Sequence, residues 1–485
     1  MRSTPMKYNH ALFLYPYREK AVTDTMMLFP PTGLEYVATS AKECAGKVTL
    51  LDLRYEKELS DINKLSDFIR REIDIVCVSI GMNRHFKEAL NFLNLLPEDI
   101  PLVVGGYKAT EMVEEIFEAC PTVDIIVRGE GEETIKAILK DEPVENILGI
   151  SYRANGKVIH NEQRPLPDVE SIASPDRTLR RNTYHLMLNG TNVTNASFDT
   201  VLSARGCPFN CKFCTFSLNP LGQKRNYAAR SVDSVIKEIE GLTADIIFFS
   251  DDNLFADPKR AERMCDLIIA RNMKKRFMAQ ARIEIAGHPI LLEKMVRVGF
   301  KALLIGIESP HNRILTQLNK GFDSDTVRKY FAVLKKYPIY YHGYFIYGNI
   351  GETEEEMLYI PKFAKEIGVD SITFQKLRIE KFSPLREIVD KTPGYHVDKK
   401  GVLYSDTYGK AALKEIARKI KFSFYTPSRF LKMVWRCFAV VKVFTVSETM
   451  SFLFVAPLLL KNVIAQEISK GHLKDSLKRT FISNS

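Results

Sequence analysis

Short apolar runs, of the kind that make buried strands, alternate along most of this chain with longer runs of helical periodicity. In the first 150 residues the apolar runs fall at 11–15, 48–53, 73–80, 102–104 and 125–127. Residues 33–44, after Pro30-Pro31, show helical spacing through Leu34, Val37, Ala38 and Ala41. Strands apolar throughout, separated by amphipathic helices, predict a doubly wound, flavodoxin-like parallel sheet. Ligands in such sheets sit beyond the carboxyl ends of the strands. The candidate binding edge is therefore the turns at 15–18, 81–84, 105–108 and 129–132.

A polar stretch at 151–195, with Pro165, Pro167 and Pro175, reads as an irregular interdomain linker. A second alternation follows. Strands are expected at 200–203, 246–250, 276–281, 302–307, 340–347 and 371–377. Helices are expected at 231–242, 258–270, 289–298, 327–336 and 354–367, the last with a capping box from Thr353 and Glu356. Six strands alternating with helices over about 180 residues predict a partial (β/α)6 barrel, whose catalytic groups gather at the strand C-termini. The expected α/β organisation is a first domain at 1–150, the linker, a barrel at 196–395 and a basic helical region at 396–485.

The tail carries the chain's charge excess. Residues 408–485 hold 14 Lys/Arg and 4 Asp/Glu, a difference of ten that equals the net charge of +10. Phe422, Phe424, Tyr425, Phe430, Trp435, Phe438 and Phe444 alternate there with Lys421, Arg429, Lys432, Arg436 and Lys442. Such a segment suits a membrane interface, and a helical cap packed over the barrel mouth is the alternative. No RNA-binding module accompanies it, so a nucleic-acid partner is not expected. The longest apolar run, 452–460, is broken by Pro457 and falls short of the about 20 residues that cross a bilayer. No basic-then-apolar leader opens the sequence, so a cytoplasmic protein, peripheral at the membrane, is expected.

Three of the eight cysteines lie within eight residues, in Ala204-Arg205-Gly206-Cys207-Pro208-Phe209-Asn210-Cys211-Lys212-Phe213-Cys214. The others, Cys44, Cys77, Cys120, Cys265 and Cys437, sit in apolar periodic stretches and read as small buried hydrophobes. Zinc sites usually supply four ligands. Here no fourth cysteine or histidine is adjacent to Cys207, Cys211 and Cys214. Three thiolates suit a [4Fe-4S] cluster with one open iron.

The Cys-x3-Cys-x2-Cys segment, with aromatic Phe213 before its last cysteine, resembles the radical S-adenosylmethionine (SAM) superfamily. The resemblance implies that the open iron binds SAM, whose reductive cleavage gives a 5′-deoxyadenosyl radical. It also implies SAM-binding roles for Phe213 in the loop and for Asp251, Asp252, Gln280, Arg282 and Glu308, which end or adjoin expected strands. Residues 348–353 are similar to the family's glycine–Glu–Thr turn. A doubly wound domain ahead of the barrel resembles the cobalamin (B12)-binding subfamily, through Pro30-Pro31-Thr32-Gly33-Leu34-Glu35-Tyr36, Gly105-Gly106 and Gly129-Glu130-Gly131-Glu132. Gly105, Gly106, Gly129, Glu130 and Gly131 are the implied corrin-binding positions, glycine allowing close backbone approach. The Asp-x-His-x-x-Gly motif of histidine-ligated corrinoids is absent; His85 is the one nearby candidate. Methylthiotransferases, which carry a second cluster, are disfavoured because Cys44, Cys77 and Cys120 occupy no strand-end turn.

The subfamily is similar to the bacteriochlorophyll and hopanoid methylases and to the anaerobic magnesium-protoporphyrin cyclase. What it implies is methyl transfer to an unactivated carbon of a hydrophobic tetrapyrrole or hopanoid or other isoprenoid lipid. A flavodoxin- or ferredoxin-type electron donor is implied too. Cyclisation or oxidation without methyl transfer is the alternative reaction, and a corrinoid or iron–sulfur sensor the non-enzymatic one.

Overall fold

The computed structural model of the chain describes residues 7–17, 29–81, 85–188, 191–214 and 219–469. Arg18, residues 82–84 and the tail beyond 469 lie outside them. The first sheet has seven strands in the order β2-β1-β3-β4-β5-β6-β7. They are β1 His10–Tyr15, β2 Lys47–Asp52, β3 Ile75–Ser79, β4 Leu102–Gly105, β5 Ile125–Val127, β6 Ile150–Ala154 and β7 Lys157–His160. The first five are parallel in the 2-1-3-4-5 order of flavodoxin-like sheets. Side chains of β1, β3 and β4 point alternately into two buried clusters, one on each face, which is why these runs are apolar throughout.

The second sheet reads β16-β15-β14-β13-β12-β9-β8. Its strands are β8 His185–Leu188, β9 Thr191–Val201, β12 Ile246–Phe249, β13 Arg276–Ala281, β14 Phe300–Glu308, β15 Tyr340–Tyr347 and β16 Ser371–Lys376. A short antiparallel pair, β10 Ala204–Arg205 and β11 Ala228–Ala229, stands apart from it. Strands β9 and β12–β16 are parallel, so the six-stranded partial barrel expected from the alternation is present. Helices Pro258–Ala270, Pro289–Val298 and Glu354–Ile367 cover its outside with the expected bounds. Thr353 and Glu356 form the capping box.

Residues 151–195 are not the irregular connection expected. β6 and β7 form an antiparallel hairpin on the first sheet, and β8 adds an antiparallel edge to the second. Charged, exposed edge positions such as Arg153 and Lys157 hide these strands from a search for apolar runs. The Asn155-Gly156 turn, both residues at positive φ, is the signal that marks the first hairpin.

The tail does not cover the barrel mouth. Arg276, at the first residue of β13, donates to Val443 O and pairs with Glu448. Lys301 Nζ donates to Val441 O, and Arg436 pairs with Asp370 ahead of β16 at 2.6 Å. Val441, Val443 and Phe444 pack on Phe198, Ile246 and Phe248. The segment thus seals the N-terminal foot of the barrel, whose inward apolar side chains need a cover. Beyond it runs the helix Val446–Ser469. Among the described residues no helix is long and apolar enough to cross a membrane.

Buried ion pairs join the two sheets' domains. Arg180 donates to Glu35 at 2.6 and 2.7 Å and to Asp199 at 2.7 and 2.8 Å. Thr32 and Thr200 hydroxyls meet at 2.6 Å, and Tyr184 Oη donates to Asp52 at 2.9 Å. Removing one member of a buried pair leaves an uncompensated charge. Arg180→Ala is therefore expected to cost about 3–5 kcal/mol. Replacing exposed Arg263, paired with exposed Asp233, is expected to change stability by less than about 0.5 kcal/mol. Denaturant midpoints of the two variants check this.

Candidate active site

The cysteine loop leaves β10 through Gly206, whose φ is 79°. A Cβ there would stand 2.5 Å from Asn226 O and 2.6 Å from Arg225 O, so only glycine fits. Gly206 N donates to Asp252 Oδ2 at 2.9 Å. The loop is held from outside as well: Lys212 N donates to Leu318 O at 3.0 Å, Ser383 Oγ to Lys212 O at 2.7 Å and Asn319 Nδ2 to Asn210 O at 2.8 Å. Cys207, Cys211 and Cys214 are all partly exposed. Burial pushes the Cys207 thiol up, against a backbone hydrogen bond from Phe209. Among the described residues no three His, Cys, Asp or Glu side chains converge as ligands of a single metal ion. A four-iron cluster spreads its ligands over separate irons, and three thiols on one anchored loop suit that donor set.

The expected polar residues divide into two kinds. Asp251 is almost fully buried beneath the loop and accepts from Ser203 N at 2.6 Å and from Ser203 Oγ. It holds up the loop's approach. Asp252, beside it, lines the large cavity described below. Burial raises both carboxyls to about 6, opposed by the Ser203 hydrogen bonds at Asp251 and the Gly206 N–H at Asp252. Gln280 lies partly exposed on β13, across from Leu304 of β14. Arg282, just past β13, places Nη1 3.4 Å from Cys211 Sγ, with its guanidinium 3.8 Å from the Phe209 ring centroid.

Glu308 ends β14 at φ 71°, a left-handed conformation costing a non-glycine residue of order 1–3 kcal/mol. The β14–β15 register slips between Gly306 and Glu308. The carboxylate folds back so that a Cβ on Gly306 would stand 2.5 Å from Glu308 Oε1. Its partner is Lys320, whose buried Nζ donates at 3.1 Å and lies 5.8 Å from the Phe213 ring centroid. Lys320 thereby links Phe213 to Glu308. Sequence reasoning missed it, because the turn Asn319-Lys320-Gly321 carries no strand-end signature; its marks are the asparagine and the glycine, both at positive φ.

A cavity of about 880 Å³ lies where the carboxyl edges of the two sheets face each other. Gly105, Gly106, Gly129, Glu130 and Gly131 all line it from the first domain; Leu202, Gly206, Ser250 and Asp252 line it from the second. At Gly106, φ 102°, an added Cβ would stand 2.8 Å from Ile80 O. At Gly33 and Gly81, which also line the cavity, it would meet nothing within 4 Å. This open, glycine-floored space, near the upper end of the size range of ligand pockets, suits a large planar cofactor. Glu130 also serves structure: it pairs with Arg205 and accepts from Arg225 Nε at 2.7 Å, while Arg205 reaches Glu132 at 2.5 Å. His85 is buried against Tyr17, its Nδ1 2.5 Å from Glu88, and is not among the lining residues. No histidine stands among the described lining residues.

The raised carboxyls give a pH prediction. Their folded pKa of about 6 exceeds the usual carboxylate value, so the unfolded chain holds fewer protons between about 4 and 6. Stability from this pair is lost as pH rises through that window. Asp252→Asn is expected to flatten the fall, read as thermal midpoints of wild type and variant across it.

The family model described as the radical SAM superfamily matches residues 201–364, and that of the B12 binding domain matches residues 21–139. An uncharacterized methyltransferase of Pyrococcus horikoshii is 31% identical over 76% of this chain and 80% of its own length. The anaerobic magnesium-protoporphyrin IX monomethyl ester cyclase of Rubrivivax gelatinosus is 27% identical over 80% of this chain and 71% of its own length. Among solved structures, the radical S-adenosylmethionine methyltransferase TsrM of Kitasatospora setae, with cobalamin and a [4Fe-4S] cluster bound, superposes with a TM-score of 0.68 at 14% identity. The match covers 87% of this chain and 89% of that one. A cysteine loop at the barrel mouth, a glycine-floored cavity facing it and these matches in both domains lead to one assignment: the chain belongs to the radical SAM superfamily, in the branch whose barrel follows a B12 binding domain.

Proposed function

We propose that this protein is a cobalamin-dependent radical SAM C-methyltransferase acting on an unactivated carbon of a hydrophobic substrate, a tetrapyrrole or a hopanoid or other isoprenoid lipid. The observation that carries the reading is the single cavity lined by the corrin-type glycine turns on one side and the base of the cysteine loop on the other. In this family the cluster and SAM supply a hydrogen-abstracting radical and cobalamin supplies a methyl group. Cys207, Cys211 and Cys214 would hold the cluster, and Gly105, Gly106, Gly129 and Gly131 would let the corrin approach. Phe213, Glu308 and Lys320 would form one wall of the SAM site, with Gln280 and Arg282 beyond it and Asp252 toward the corrin. Glu130 and Asp251 would set the shape of the site through the bonds they make to Arg205 and Ser203. The protein's own task is to orient the reactants and exclude water. A flavodoxin- or ferredoxin-type protein would supply the electron.

Anaerobic reconstitution with iron, sulfide and hydroxocobalamin, followed by reduction with SAM and extracts of hydrophobic metabolites, tests this. The expected result is corrin uptake, cluster absorbance and release of 5′-deoxyadenosine and S-adenosylhomocysteine together. Alanine at Cys207, Cys211 or Cys214 is expected to abolish the cluster absorbance, whereas alanine at buried Cys265 is not. Absence of corrin uptake, or deoxyadenosine without homocysteine, overturns the methyl-transfer reading.

The tail supports a position at the cytoplasmic face of a membrane. Phe430, Leu431, Trp435, Val446, Leu453 and Phe454 are each more than half exposed, Phe454 at 82% and Val446 at 83%. Lys432, Lys442 and Lys461 lie along the same segments, a pairing of apolar and basic residues that suits an anionic bilayer surface. Because the neighbouring 436–448 segment seals the barrel, substitution is a cleaner test than deletion. Trp435→Ser with Phe454→Ser is expected to weaken flotation with phosphatidylglycerol vesicles by about tenfold or more; equal flotation removes the membrane part.

A further inference from the structure

Arg282 stands directly beyond β13, and its guanidinium has two working edges. One edge is anchored. Nε and Nη2 donate to Glu284 Oε1 at 3.1 and 2.7 Å, and Nη2 also donates to Lys320 O. The other edge faces the cysteine loop, with Nη1 3.4 Å from Cys211 Sγ. The guanidinium also lies on the ring of Phe209, two residues before Cys211, and Phe322 stands 5.4 Å away. These contacts fix a fork that carries its charge at every working pH. The side chain is largely buried, so water and salt screen that charge weakly.

The neighbouring charges do not cancel it. Lys320, the other buried cation here, gives its Nζ to the buried Glu308 carboxylate. Glu284 keeps 38% of its side chain exposed, and water weakens its opposing field. Arg282 therefore presents a net positive field to Cys211. Three thiolates make a cluster site negative, and the one electron that a donor protein supplies makes it more so. The potential of such a cluster follows its net charge and the hydrogen bonds to its sulfurs. A guanidinium at a ligating sulfur favours the reduced form over the oxidised one. We propose that Arg282 is a positioning residue that donates to the Cys211 thiolate and raises the potential at which the cluster takes its electron. The proposal rests on the reading of Cys207, Cys211 and Cys214 as cluster ligands; it asks nothing of the corrin or the substrate.

The test is a redox titration of the full chain, reconstituted anaerobically with iron, sulfide and hydroxocobalamin, without SAM. Electron paramagnetic resonance reads the reduced cluster. Arg282→Gln is expected to lower the reduced fraction at a fixed potential about tenfold, a fall in midpoint of about 59 mV for one electron. Arg282→Lys keeps the charge without the fork and is expected to fall by part of that. Glu284→Gln removes the opposing carboxylate and is expected to move the midpoint upward. Ser383→Ala releases Lys212 O, another hold on the loop, and is expected to leave the midpoint in place, which separates charge from loop anchoring. The proposal is overturned if cluster-loaded Arg282→Gln keeps the wild-type midpoint, or if Ser383→Ala lowers it as much. If Arg282→Gln takes up no cluster, the other two variants decide: a lower midpoint in Arg282→Lys with a higher one in Glu284→Gln supports the proposal, and the wild-type value in either overturns it. A wild-type chain without cluster absorbance overturns the ligand reading itself, and this proposal with it, before any potential is read.

Discussion

Two arginines hold this molecule's site together. Arg205 leaves the short strand ahead of the cysteine loop and reaches Glu130 and Glu132 of the first domain, its guanidinium 5.1 Å from the Tyr36 ring centroid. Arg180 ties Glu35 to Asp199 from the segment between the sheets. All four carboxylates are largely withdrawn from water, so each pairing matters for its geometry more than for a net gain in stability. Because the pairs span the domains, they set the distance between the glycine turns and the cysteine loop, and Arg205, Glu130 and Glu132 belong to the cavity wall itself.

The same economy appears at the strand ends. Asp251 and Asp252 are adjacent in sequence, yet one supports Ser203 from beneath while the other faces the cavity and holds Gly206. Glu308 accepts a left-handed backbone and turns its carboxylate to Lys320. Strain of this kind persists only where neighbours over-determine it; here Gly306 leaves room and Lys320 supplies the charge.

Most of the architecture was legible in the sequence because buried parallel strands write themselves as unbroken apolar runs. Helices such as Pro258–Ala270 and Pro289–Val298 announce themselves with a proline at the first turn. The cysteine loop was legible because three thiols at such spacing have few structural uses. Edge strands escaped notice, since β6 and β7 present charged side chains to water. Lys320 escaped because its importance comes from Glu308 and Phe213, which are distant in sequence or separated by a turn. The tail's destination was equally hidden: aromatic and basic residues specify a surface to cover without naming it, and the foot of a barrel has the same apolar chemistry as its mouth.

The seal at that foot has a consequence for biogenesis. The segment that covers Phe198 and Phe248 is translated after every strand of the barrel. Domains of long chains fold largely in order of synthesis. The barrel of a nascent chain therefore has all its strands while its floor is still missing, and that floor is laid only when the tail emerges and docks.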